Sequence, residues 1–304
     1  MPDPAPRGSP RARLERRARA LAAIRSFFEA QGSLEVETPL LLRAPAPERH
    51  IVALAVPGAG FLAASPELQM KRLVADGAGP IHQITRSFRG GERGRTHLPE
   101  FTIVEWYLPG ATYREAMDQT EALVRWVAER LATPGSPPRF DPGLPFERCR
   151  IPELFERLAG WRPRADAEDE RFAFDLVDKI EPALPRDRGV LVYDYPASQA
   201  SLARLCPSDP AYAERFELYL GGLEVANGFT ELADEAEQRA RFERERAAIA
   251  AQGRPLYPLD ERFLAALPRL GLCAGVALGF DRLLLALTGG DDIGEVTTFR
   301  WEEV

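Results

Sequence analysis

The sequence predicts an α+β fold, an antiparallel β-sheet flanked by helices. Three observations predict it. Two alternating stretches, IHQITRSFR (81–89) and FTIVEWY (101–107), are separated by one short loop. The run RFELYLGGLEVANGF (215–229) places Gly221-Gly222 between two alternating arms, the pattern of a two-residue hairpin. Helical periodicity fills 11–31, 113–132 and 235–253, so helices lie between and around the strands.

Residues 1–10, rich in Pro, Gly and Ser, read as a loose tail. Residues 11–304 then read as one domain. Its first helix, Arg11–Gln31, stops at Gly32 and gathers Leu14, Leu21, Ile24, Phe27 and Phe28 on one face. SLEVETPLLL follows as a strand ended by Pro39. The segment IVALAVPGAGFLAAS turns at Pro57-Gly58 as a hairpin. Its GxGxxA string (Gly58, Gly60, Ala63) opens a strand rather than a helix, which excludes a dinucleotide-binding loop. SPELQMKRLVADG reads as a helix with Ser65 as N-cap, Pro66 at the first position and Gly77 as stop. Residues 133–150 are a proline-rich connector and 151–190 a helical insertion. GVLVYDYP (189–196) is a strand, 235–253 a solvated helix, and CAGVALG (273–279) a buried strand that runs into a helix stopped at Gly289-Gly290.

Composition narrows the function. The 304 residues carry a net charge of −7, which argues against broad nucleic-acid binding but allows a local basic groove. No apolar run is long enough to span a membrane. Three dispersed cysteines without CxxC spacing point to a reducing, cytoplasmic setting and away from a zinc site. No GxxxxGK[ST] loop is present, which excludes a P-loop ATPase.

Three constellations carry chemistry. In FTIVEWY, Phe101, Ile103, Glu105 and Tyr107 share a face, and Gln83, Thr85, Ser87 and Arg89 share one in the preceding strand. That polar face suits either a ligand cleft or a solvent-facing sheet surface. In the glycine-turn hairpin, regular pairing sets Leu220 opposite Leu223, Tyr219 opposite Glu224 and Glu217 opposite Ala226. Glu217 and Glu224 then become diagonal neighbours, suited to magnesium or to paired arginines. In GFDRLLLALT, Arg282 falls in the first turn of a helix, where a bound anion would favour both the helix end and the arginine; pairing with Asp281 is the alternative. Glu67, Glu105 and Glu231 form an acidic set suited to an amine.

Together these segments resemble the catalytic domain of class II aminoacyl-tRNA synthetases. FFEAQGSLEVETPLL resembles motif 1, FRGGERGRTHLPEFTIVEWY motif 2 and GVALGFDR motif 3. SPELQMKRL and GGLEVANGFTEL resemble the lysyl branch. No anticodon-binding barrel precedes the motifs. This pattern is similar to the stand-alone lysyl-type paralogues that attach lysine, preferably (R)-β-lysine, to a lysine of translation elongation factor P. Ala226 and Ala277, at positions where the tRNA enzymes usually have glycine, and YDYPASQASLA (193–203) favour that group.

The resemblance implies ATP and Mg2+ as cofactors, a homodimer built through Arg11–Leu42, elongation factor P as partner, and tRNA disfavoured as acceptor. It implies Arg89 and Arg282 as the catalytic, triphosphate-binding arginines, with Arg282 also covering an adenine opposite Phe101. The remaining ATP positions are Gly90, Gly91, Glu92, His97, Leu98, Phe101, Glu224, Val225 and Gly279. Glu217 and Glu224 would hold the metal. Ser65, Pro66, Glu67, Glu105, Tyr107, Ala226, Asn227, Glu231 and Ala277 would surround the amino acid. Gly90-Gly91 replaces the Asn-Glu pair usual after the motif 2 arginine, and Leu98 replaces the asparagine usual after His97. Two other readings fit the same motifs: a minimal enzyme that charges tRNA, and a synthetase-like protein that binds an amino acid without catalysis.

Overall fold

The computed structural model describes residues 9–132, 137–167 and 169–304. Along the chain the elements are α1 (Pro10–Ala30), β1 (Leu34–Glu35), β2 (Leu41–Leu42), β3 (Ala55–Val56), β4 (Gly60–Leu62), α2 (Glu67–Ala75), β5 (Ile81–Phe88), β6 (Glu100–Pro109), α3 (Tyr113–Leu131), β7 (Glu147–Arg150), α4 (Ile151–Leu158), α5 (Asp169–Asp175), β8 (Gly189–Pro196), β9 (Tyr212–Leu220), β10 (Leu223–Thr230), α6 (Glu235–Ala251), α7 (Glu261–Leu270), β11 (Cys273–Gly279) and α8 (Phe280–Thr288). Eight strands form one sheet in the order β1-β5-β6-β11-β10-β9-β8-β7. Its two end pairs are parallel and the pairs between them antiparallel. β2, β4 and β3 form a second, small antiparallel sheet. This is the α+β architecture that the alternating segments predict.

Local chemistry sets most of the element ends. Ser9 caps α1 by accepting from the Ala12 amide, and Gly32 ends the segment with φ +69°. Thr112 and Glu115 close a capping box at α3, and Asp234 caps α6. Gly221 and Gly222, at φ +58° and +80°, supply the tight turn between β9 and β10. The first eight residues of the expected tail, and residues 133–136 and 168 of the expected connector and insertion, lie outside the described residues.

Four expectations need correction. The strand foreseen in SLEVETPLLL shrinks to Leu34–Glu35, because it lies at the edge of the sheet and leaves it before Pro39; the Val36 amide still donates to His82 O at 2.9 Å. α2 begins at Glu67 with Pro66 as its N-cap, and Ser65 Oγ lies 3.4 Å from the Glu67 amide, too far to cap well. Residues 147–150, read as connector, form β7 beside β8. The hairpin register is also irregular. A β-bulge at Val225 sets Ala226 opposite Leu218 and Asn227 opposite Glu217.

The main core lies on one face of the large sheet, where α1, α3 and α8 pack. Val104 and Trp106 of β6, Val276 and Leu278 of β11, and Phe216 and Leu218 of β9 meet Phe280, Leu283 and Leu284 of α8 and Phe27 and Phe28 of α1. Each such side chain contributes about 1.5–3 kcal/mol by leaving water. The alternation of β6 then forces Phe101, Ile103, Glu105 and Tyr107 onto the opposite face. A second core walls one end of that face, with Leu68 and Met70 of α2, Phe242 of α6, and Phe263 and Leu267 of α7. A third, around Phe155, Phe172 and Tyr195, joins the insertion to β8.

Candidate active site

Between these walls the sheet forms the floor of a cleft of about 480 Å³. Its two ends carry opposite charge.

Arg89 and Arg282 flank the basic end. Arg89 follows β5 directly, and its amide donates to Pro99 O at 2.9 Å, closing the base of the motif 2 loop. Its guanidinium lies 5.0 Å from the centre of the Phe101 ring and 3.7 Å from Glu92. Arg89 therefore lies on the Phe101 ring, where the resemblance expects an adenine between Phe101 and Arg282. Arg282 occupies the third position of α8 and binds Glu224 instead of Asp281. Its Nη1 donates to Glu224 O at 2.9 Å and to Glu224 Oε2 at 3.2 Å, and Nε donates to Thr96 O at 3.3 Å. Asp281 instead accepts from Arg17 at 2.5 Å and from the Thr102 amide at 2.7 Å, tying α1 and β6 to α8.

Arg282 Nη2 also touches His97 Nε2. A guanidinium only donates, so that nitrogen accepts and the His97 proton belongs on Nδ1. Burial and the positive charge of Arg282 hold His97 below the usual histidine range, which favours the neutral ring.

Gly90 and Gly91, expected at the nucleotide, do not line the cleft. Gly90 donates to Val52 O at 2.7 Å, and a Cβ there would meet Val52 and Leu54 side chains at 3.1 Å. Gly91 has φ +80°. The glycines thus seat the loop against residues 52–54 in a conformation that a family-type Asn-Glu pair would strain. Leu98 lines the cleft and packs on the main core, so it offers an apolar contact where an asparagine would offer a polar one.

The carboxylate pair sits across the bulge. Glu217 is buried on β9 opposite Asn227, and its oxygens are engaged. Oε2 accepts from Tyr195 and Tyr219 hydroxyls at 2.6 and 2.7 Å, and Oε1 accepts from Arg215 at 2.6 Å. Glu224 faces the cleft with its side chain 42% exposed, and its carboxyl is pushed up by desolvation and by the charge of Glu217. Among the described residues no group of three or more His, Cys, Asp or Glu is assembled for a metal. The pair nonetheless suits magnesium, which takes one or two carboxylates and completes its shell with water and phosphate oxygens. Glu224 is the ready ligand, and Glu217 would join it by releasing Arg215.

The bulge also changes which hairpin residues face the cleft. Ala226 lies opposite Leu218 and joins the main core while still bordering the cleft. Asn227 takes its place on the cleft side and accepts from Arg215 Nε at 3.1 Å. Ala277 lies on the floor between Asn227 and Glu105. Val225 and Gly279 line the wall beside Arg282, as expected. Ser65 also lines the cleft, whereas Pro66 does not.

The closed end is acidic and buried. Glu105 is 2% exposed; one oxygen accepts from Tyr107 OH at 2.7 Å and the other has no partner. Burial, then the charge of Glu67, push its carboxyl up to about 8. Glu231, just past β10, is held by its amide to Cys273 O at 2.8 Å. Gly275 makes room for it, since a Cβ at Gly275 would stand 2.2 Å from Glu231 Oε1 and 2.6 Å from the Tyr107 ring.

The sequence did not flag one residue here. Lys71, one turn into α2 and 2% exposed, lies 2.6 Å from Glu67 Oε1 and touches Glu231 Oε2. The Glu231 contact is an ion pair without hydrogen-bond alignment, since neither Glu231 oxygen has an aligned donor. Burial alone would lower the Lys71 pKa, but Glu231 and Glu67 outweigh it and raise the pKa. Its i,i+4 spacing from Glu67 on a predicted helix was the available signal. Glu48, Arg215 and the 198–202 loop also line the cleft and were not foreseen.

An antiparallel sheet whose cleft has arginines from motifs 2 and 3 at one end and carboxyls at the other defines a class II synthetase catalytic domain. The family model described as tRNA synthetases class II (D, K and N) matches residues 6–302, and the chain belongs to that family. Within it the chain is 40% identical over 308 residues to the elongation factor P--(R)-beta-lysine ligase of Klebsiella pneumoniae subsp. pneumoniae, covering 94% of each chain. It is 41% identical over 316 residues to the protein of the same name from Pectobacterium carotovorum subsp. carotovorum, covering 96% of this chain and 95% of that one. It is 39% identical over 312 residues to that of Yersinia pestis, covering 96% and 95%.

Proposed function

We propose that the chain is a ligase that activates (R)-β-lysine, or lysine, with ATP and transfers it to a lysine side chain of elongation factor P. The observation that carries this reading is the division of one cleft into a guanidinium end and a buried carboxyl end. A substrate with a reactive carboxylate and two ammonium groups fits both at once. The names of relatives about 40% identical over nearly their whole length supply the acceptor.

Arg89 and Arg282 would hold the ATP phosphates, with Phe101 as the surface for the adenine. That placement requires the Arg89 guanidinium to leave the ring and turn to phosphate. Glu67 would take the amine nearer the carboxylate, and Glu231, Glu105 and Tyr107 the distal one. A carboxylate oxygen of the amino acid attacks the α-phosphorus, its bond to pyrophosphate breaks, and an aminoacyl-adenylate forms. The neutral amine of the acceptor lysine then attacks the acyl carbon, and AMP leaves. Magnesium held by Glu224 with Glu217 would neutralise phosphate charge. The protein's own contribution is alignment and preorganised positive charge.

Purified chain, ATP and labelled (R)-β-lysine, supplied with elongation factor P and with bulk tRNA in parallel, test the proposal. Label on the factor supports it. Label on tRNA alone would identify a minimal synthetase instead.

Glu231→Gln should raise the KM for the amino acid more than it lowers kcat, because it removes charge facing an ammonium. An unchanged KM would take Glu231 out of the pocket. Ala277→Gly should move preference from β-lysine towards α-lysine, since one methyl group in a tight site discriminates by roughly 1–3 kcal/mol. An unchanged ratio of kcat/KM would locate the selectivity elsewhere.

Residues 11–304 would act as one catalytic unit, and the motif 1 segment Arg11–Leu42 as a homodimer interface. Light scattering at micromolar concentration should give a dimer, and a monomer would refute that part. An acceptor in the translation machinery implies a cytoplasmic enzyme. The described residues hold no helix long and apolar enough to cross a membrane.

A further inference from the structure

Glu48 has no part in the chemistry above, yet it lines the cleft from the loop between β2 and β3. That loop is held from two sides. Arg49, the next residue, donates to Glu245 of α6 through its amide at 2.9 Å and through Nε at 3.0 Å. Arg254 donates to Arg49 O at 2.6 Å and to Ile51 O at 3.0 Å, and Gly90 of the motif 2 loop donates to Val52 O. These bonds fix the residues after Glu48 and leave its carboxyl without a hydrogen-bond donor among the described residues. Four charged groups face it: Glu67 of α2, Arg89 after β5, Glu245 of α6 and Arg215 of β9. Burial, then the charge of Glu67, push its carboxyl up to about 7 against the pull of Arg89.

We propose that Glu48 is the general base of the transfer step, taking a proton from the acceptor lysine as it reaches the adenylate. The inference rests on the reading of Arg89 as a phosphate ligand and of Glu67 as the group that takes the amine nearer the carboxylate. The acyl–phosphate bond then forms between those two side chains, and both act on Glu48. Glu105 feels the same pair, but it is buried on the cleft floor and accepts from Tyr107. Glu48 is half-buried on a loop, where an incoming side chain can reach it. An ordinary lysine amine is only about 0.04% neutral at pH 7, so the acceptor arrives as an ammonium. The Glu48 carboxylate takes one of its protons. The neutral nitrogen attacks the acyl carbon, the bond from that carbon to the phosphate oxygen breaks, and AMP leaves. The nitrogen gives its second proton to water, as does Glu48 when it resets. A carboxyl raised towards neutrality holds the proton better than an ordinary glutamate and is still ionised in good part at pH 7.

The test is single-turnover transfer of labelled β-lysine from the preformed, enzyme-bound adenylate to saturating elongation factor P. It is run from about pH 6 to about pH 9 for wild type, Glu48→Gln and Glu48→Asp, with hydroxylamine as a second acceptor. The wild-type rate should level off above about pH 7. Glu48→Gln should be about 100-fold slower at pH 7 and rise about tenfold per pH unit, so that its deficit closes towards pH 9. Hydroxylamine is already neutral near pH 7 and needs no base, so its reaction should slow by less than about threefold, which a packing defect would not allow. Circular dichroism reports folding, and Glu48→Asp, which keeps a carboxylate, should retain the levelling-off at a lower rate. Parallel pH profiles for wild type and Glu48→Gln, or equal losses with both acceptors, overturn the inference while wild-type transfer to the factor leaves the underlying function standing. Wild type that labels no factor overturns the function and the inference together.

Discussion

Arg282→Ala is expected to lower adenylate formation on the order of 100- to 1000-fold, about 3–4 kcal/mol of transition-state stabilisation. The side chain is held before substrate arrives by Glu224, Thr96 and His97. It thus meets developing charge on the phosphoryl oxygens with little reorganisation. Its removal also leaves Glu224 beside Glu217 with one cation fewer, which adds repulsion where phosphate must enter. Arg282→Lys should recover little, because a single ammonium cannot reproduce a fork that reaches a carbonyl, a carboxylate and a ring nitrogen. Exchange measured at saturating amino acid checks both variants. Near-normal rates would mean that the phosphates are held elsewhere.

Gly275→Ala is expected to raise the KM for the amino acid by roughly 10-fold or more while leaving that for ATP nearly unchanged. The added methyl group would fall 2.2 Å from Glu231 Oε1 and 2.6 Å from the Tyr107 ring. Neither neighbour yields freely. Lys71 pins the carboxylate, and the hydrogen bond to Glu105 pins the phenol. Overpacking of this kind costs roughly 1–3 kcal/mol, where 1.4 kcal/mol is a factor of ten in binding. The cost falls at the acidic end, away from both arginines. An amino-acid KM within twofold of wild type would show that this end does not hold the substrate.

The fold was legible because its signals are local. The alternation of 81–88 and 100–109 survives intact, with Gln83 opposite Glu105 and Ser87 opposite Phe101. The turn glycines fixed the hairpin tip, and Gly289 ended α8 at φ +73° as read. The arginines and the acidic set were legible from motif order, and the structure gathers Arg89, Arg282, Glu67, Glu105 and Glu231 around one cleft. What escaped depends on three-dimensional neighbours. Nothing in EVANGF marks an extra residue in the pairing, so Ala226 was set opposite Glu217, where the structure has Asn227. Lys71 was given no role, since only folding brings Glu231 to it. Gly90 and Gly91 were placed at the nucleotide as the replacement of an Asn-Glu pair, whereas Gly90 packs against Val52 and Leu54.

The bulge at Val225 acts as a frame marker at the level of the folded chain. Before it, the hairpin counts outward from the glycine turn; after it, every side chain is shifted by one. Deleting Val225 would remove the bulge and leave the partners beyond it unchanged, Ala226 opposite Leu218 and Asn227 opposite Glu217. A residue inserted between Ala226 and Asn227 would instead rotate the rest of β10 by half a period. Asn227 would move opposite Phe216, into the apolar layer, and Gly228 onto the cleft side. One added residue would therefore bury an amide without a partner and strip the cleft wall of its polar group together. Variants that explore new substrates there should keep the count of residues between Ala226 and Glu231 and change only their identity.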